Sequence, residues 1–72
     1  MAPRKYRKIV GANIRSNRKK ADMSQELLAE RAELHVKYLS RVELGYVNIS
    51  LDSLGRIAGA LRIKLIALFK GS

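Results

Sequence analysis

Cysteine is absent from this 72-residue chain. No disulfide can brace it, and no thiolate can act as nucleophile or metal ligand. Tryptophan is absent too, and proline, histidine and phenylalanine occur once each, as Pro3, His35 and Phe69. One histidine without cysteine partners makes no zinc site. So few aromatics offer no platform for stacking the bases of RNA. Acids are scarce, six Asp and Glu against fifteen Lys and Arg. Scattered as they are, they provide no paired carboxylates for acid–base chemistry, so neither an enzyme nor a cofactor is expected. No apolar run approaches the length of a membrane span, and the N-terminus lacks the apolar core of a signal peptide. A soluble, cytoplasmic protein is expected.

What is present in excess is positive charge, a formal +9 at neutral pH. It is unevenly spread. Residues 1–23 carry eight basic side chains and one acid (Asp22), whereas residues 24–72 carry seven basic and five acidic ones. Clustered Lys and Arg release counterions from a phosphate backbone, so the asymmetry points to a polyanion as partner. The competing reading is a solubilising tail. Membrane docking is disfavoured because Arg4–Lys8 has Tyr6 as its one apolar anchor. A chain of this size buries only ~60% of the surface its unfolded form exposes, which leaves efficient helix packing as its means of stability. One domain is expected, a basic arm over residues 1–5 followed by a helical domain over residues 6–70.

Apolar spacing is helical throughout. Val10, Ile14 and Asn17 form a stripe within a first helix expected from Tyr6 to Lys20. Ser24 caps a second helix that ends near Ala32, and His35 precedes a third that Gly45 terminates. Ser50 caps a fourth, whose stripe is Leu51, Leu54, Ile57, Ala58 and Leu61. Arg62-Ile63 breaks it, and a fifth short helix is expected over about Lys64–Phe69, with Leu65, Leu68 and Phe69 inward. Met23–Leu28, Leu34–Leu39 and Ile49–Leu54 all have hydrophobic-staple spacing across a helix start. The expected fold is all-α, a compact five-helix domain without strands, with a helix-turn-helix at helices 2 and 3.

The segment Ser24–Gly45, SQELLAERAELHVKYLSRVELG, resembles the lambda-repressor-like helix-turn-helix domains of phage repressors and Cro proteins. The resemblance extends upstream to Gly11, Ile14, Arg15 and Arg18, and downstream through NISLDSLGRIAGAL to Leu68-Phe69. Within that family, VNISLDSLGRIAGALRI is most similar to the controller proteins of restriction-modification systems. The resemblance implies a sequence-specific, DNA-binding transcriptional regulator that reads the major groove with residues 35–44. It assigns base reading to Val36, Lys37, Ser40 and Arg41. Lys and Arg suit guanine O6 and N7 chemically, whereas Val36 offers at most contact with a thymine methyl. It assigns DNA-backbone contact to Gln25, His35, Tyr38, Asn48 and Arg15, and a structural ion pair to Arg18 and Glu43.

Several positions depart from the family pattern. Glu33 and Arg62 stand where glycine or another turn residue is usual, so strain at positive φ is expected there. His35 replaces a small polar cap. Tyr46 and Val47 replace basic loop residues. Ile66 and Ala67 stand where the family often has polar residues, and together with Ile63 they mark an expected homodimer interface for binding a palindromic double-stranded operator. The alternative is an antitoxin-like or other interaction subunit that uses the apolar C-terminal helix to hold a different protein.

Overall fold

The structure, a computed structural model, describes residues 4–71. Four α-helices follow one another: α1 (Arg4–Lys20), α2 (Gln25–Arg31), α3 (Val36–Glu43) and α4 (Leu51–Leu61). The fifth element is not an α-helix but a 3-10 helix, Leu65–Phe69. Five residues are too few for α-helix propagation, and the tighter turn forms instead. The amide of Asn13 then takes the Leu68 and Lys70 carbonyl oxygens, at 3.0 and 2.7 Å, and ties the chain end to α1. Among the described residues there is no strand. α1 starts at Arg4 and not at Tyr6, so Arg4 and Lys5 of the expected arm are helical. Residues 1–3 lie outside the described part.

Each element contributes to one core. Ile14, Leu28, Leu39, Ile57 and Leu68 are fully buried, one from each of the five elements. α1 packs on α3 and on the 3-10 helix, while α2 packs on α3 and α4. Gly11 allows the first contact: a β-carbon there would lie 2.7 Å from the Glu43 carbonyl oxygen. The staple residues Leu28, Leu39 and Leu54 are buried, with Met23, Leu34 and Ile49 packed over them.

All four helices stop in the same way. A residue with positive φ follows each helix, directly after α4 and one position further on after α1, α2 and α3, and paired backbone bonds close the turn: Met23 N to Arg18 O, Leu34 N to Ala29 O, Tyr46 N to Arg41 O and Ile63 N to Ala58 O, at 2.8–3.1 Å. In α3 that residue is Gly45, at φ +77°, as expected. The other three helices use Asp22, Glu33 and Arg62, at φ +56° to +58°.

Three apolar side chains lie other than their spacing suggests. Ile63 follows the left-handed Arg62, so its side chain turns back onto the core and is half-buried. Leu51 and Phe69, expected in the core, are 67% and 42% exposed. Leu51 is the first residue of α4, and the stripe that faces inward begins one turn later, at Leu54.

Candidate nucleic-acid interface

α3 is amphipathic in an unusual sense for so short a helix. Leu39, Val42 and Glu43 are buried. Val36, Lys37 and Arg41 are exposed and Ser40 is half-buried, so one side of the helix is free along its length. Residues i, i+1, i+4 and i+5 share a face at 3.6 residues per turn, and these four are that set. The structure therefore brings the four expected base readers together on an uncovered surface. His35 precedes them, is exposed, and makes no side-chain cap bond.

A second group converges beside that face. Arg15, Arg18, Gln25, Ser40, Glu43 and Leu44 line a polar pocket of about 230 Å³. Arg15 comes from α1, Gln25 opens α2, and Ser40 and Glu43 come from α3. The pocket floor is an ion pair: Arg18 Nε donates to Glu43 Oε2 at 2.8 Å and Arg18 Nη2 to Oε1 at 3.1 Å. The two side chains are 11% and 2% exposed. Arg18 Nη1 donates to the Met23 carbonyl at 2.8 Å, which fixes the guanidinium against the turn into α2. Gln25 Nε2 donates to Glu43 Oε1 at 3.0 Å. Sequence reasoning treated Gln25 and the ion pair as separate features. Their joining depends on a contact across eighteen positions, for which no local pattern gives a signal.

Other expected backbone contacts lie apart from this pocket. The Tyr38 hydroxyl donates to the Asn48 carbonyl at 3.4 Å, and the Tyr38 ring packs on the core. Asn48 Oδ1 is buried without a partner, as is Arg7 Nε, and both residues line an apolar groove. Its further walls include Tyr6, Val47, Ile49, Leu51 and Phe69, around about 240 Å³. Tyr46 is exposed, and Gly45 packs against Lys8. Of the expected interface set, Ile66 is 70% exposed, Ala67 is half-buried and Ile63 is packed on the core. Among the described residues, no three His, Asp or Glu gather to hold a metal ion, and no helix is long and apolar enough to cross a membrane.

Two short helices at an angle, joined by a tight turn with a free face on the second, define a helix-turn-helix. A family model described as helix-turn-helix matches residues 14–68. The chain belongs to the helix-turn-helix family. Its relatives there include control protein C.BamHI of Bacillus amyloliquefaciens, 41% identical over 59 residues, which are 81% of this chain and 73% of the relative. The immunity repressor protein of Bacillus phage phi105 is also 41% identical over 59 residues, but this chain spans only 41% of its length. Among solved structures, the restriction-modification controller protein C.AhdI from Aeromonas hydrophila superposes with a TM-score of 0.86 at 35% identity, covering 88% of this chain and 96% of that one. The family match thus runs from the middle of α1 into the 3-10 helix.

Proposed function

We propose that this protein is a sequence-specific regulator of transcription that reads the major groove of double-stranded DNA with α3. The observation that carries the reading is the placement of Arg15, Gln25 and Ser40 around one polar pocket beside the uncovered face of α3. A guanidinium, an amide and a hydroxyl converging there suit a phosphate oxygen. Lys37 and Arg41 then extend into the groove, where they match guanine O6 and N7. Backbone contact sets the register and α3 reads the bases.

The remaining functional detail follows from this placement. His35 stands at the entry of α3 as a further backbone neighbour. Val36 contributes apolar contact at most. Tyr38 and Asn48 act through the shape of the loop after α3, because the Tyr38 hydroxyl is directed to that loop and Asn48 Oδ1 is enclosed. The similarity to C.BamHI and C.AhdI supports control of a restriction-modification operon as the setting. A homodimer on a palindromic operator fits the apolar surface around Ile66. Ile66 and Phe69 are three residues apart on a 3-10 helix and share one side, with exposed Leu51 and Phe69 both on the groove wall. Of the expected set Ile66 is the most exposed and is the centre of that surface, with Leu51 and Phe69 added beside it and Ile63 and Ala67 at its half-buried margin.

The reading is tested with variants on a selected duplex. Arg41→Ala relaxes base preference at one position in each half-site, whereas Arg15→Ala weakens all duplexes alike and lowers the salt slope by about one unit. Equal effects of both variants on every sequence would reject α3 as the reader.

A further inference from the structure

Glu43 does more than hold α1 against α3. Its Oε1 receives two donors, Arg18 Nη2 at 3.1 Å and Gln25 Nε2 at 3.0 Å. A carboxylate accepts hydrogen bonds and donates none. The Gln25 amide therefore has one favoured orientation, with nitrogen towards Glu43. That nitrogen carries two protons, and Glu43 uses one of them. The second projects from the same planar group on the side away from Glu43. Gln25 lines the pocket together with Arg15 and Ser40, so the pocket gains a donor whose direction is set in advance. Arg18 keeps the arrangement compatible with an anion, because its two bonds to the carboxylate neutralise the charge beneath the pocket.

We propose that Glu43 is a positioning residue for DNA contact: it holds the Gln25 amide so that one N–H is presented to a phosphate oxygen seated with Arg15 and Ser40. The inference rests on the phosphate reading of that pocket. It carries a counterintuitive sign. Removing a negative charge from a DNA-binding surface strengthens binding on Coulomb grounds alone. Glu43→Gln instead weakens it, because a neutral amide in place of the carboxylate lets Gln25 turn its oxygen inward or outward alike.

The test is a double-mutant cycle in duplex affinity with Gln25→Ala, Glu43→Gln and both together, at a temperature where circular dichroism shows each variant folded. Gln25→Ala is expected to weaken binding about tenfold on all sequences, the value of one bond to a charged group. Glu43→Gln weakens it comparably, and in the Gln25→Ala background it has no further effect. Additive losses, or tighter binding by Glu43→Gln, would overturn the proposal. A measurement on the unaltered protein covers the case in which Glu43→Gln does not fold. One Gln25 side-chain proton should exchange slowly in the free protein, and the second should become protected when duplex is added. Free-amide exchange of both protons in both states would equally reject it. Failure of the underlying reading looks different: Arg15→Ala would then leave affinity unchanged whatever the cycle shows.

Discussion

Glu43 is the residue through which α1, α2 and α3 are joined. It is buried, and it is paired with a nearly buried Arg18. Taking away one member of such a pair leaves an uncompensated charge, at a typical cost of about 3–5 kcal/mol. Glu43→Ala should therefore lower the melting temperature far more than Glu26→Ala, which alters an exposed side chain of α2. Coincident thermal melts would refute this. Gly11→Ala is expected to cost about 1–3 kcal/mol by overpacking, since its β-carbon would collide with the backbone of α3. At this scale the sequence was readable where chemistry is local. The exposed Lys37 and Arg41 followed from helical spacing and the family pattern. The Gln25–Glu43 bond and the anchoring of Leu68 and Lys70 by Asn13 did not, because both span long chain separations.

At the scale of the element, the helix ends are where this fold stores strain. Three of the four left-handed turn residues are not glycine. Asp22 tolerates that conformation best, since a short polar side chain can bond locally, whereas Glu33 and Arg62 bear the fuller steric cost. Glu33→Gly is expected to stabilise the domain by about 1 kcal/mol, measured by denaturant unfolding. Unchanged or lower stability would contradict the argument. The helix starts show the complementary economy. Ser24 Oγ and Ser50 Oγ accept from the backbone amides of Leu27 and Ser53, while His35 accepts from none. Ser24→Ala and Ser50→Ala should each cost about 1 kcal/mol, and His35→Ala much less. The starts of α2, α3 and α4, the staples and the Gly45 stop were legible because each is written within about six residues, whereas the start of α1 at Arg4 carries no such cap signal. The C-terminal 3-10 helix was not, because tertiary contacts with α1 and α4 decide its geometry. Ile63 is half-buried for a related reason: a helix stop at Arg62 folds the next side chain back towards the core, which an apolarity count does not reveal.

For the whole molecule, charge and apolar surface pull in opposite directions. Each copy carries +9, which disfavours self-association in free solution, while Leu51, Ile66 and Phe69 favour it. DNA neutralises the charge, so pairing of two copies is expected to be weak alone and strong on a duplex. Ile66→Lys should abolish pairing in sedimentation and weaken binding to a full palindrome, with half-site affinity retained. Pairing that survives Ile66→Lys would place the interface elsewhere.

Base reading by α3, from a position fixed by the neighbouring pocket, is the central proposal for this protein. Selection of bound duplexes from a random pool tests that most directly. The unaltered protein should enrich a palindrome with half-sites about one helical turn apart, and Arg41→Ala should lose the preference at one symmetric pair of positions. Absence of any enriched sequence with the unaltered protein would contradict the account.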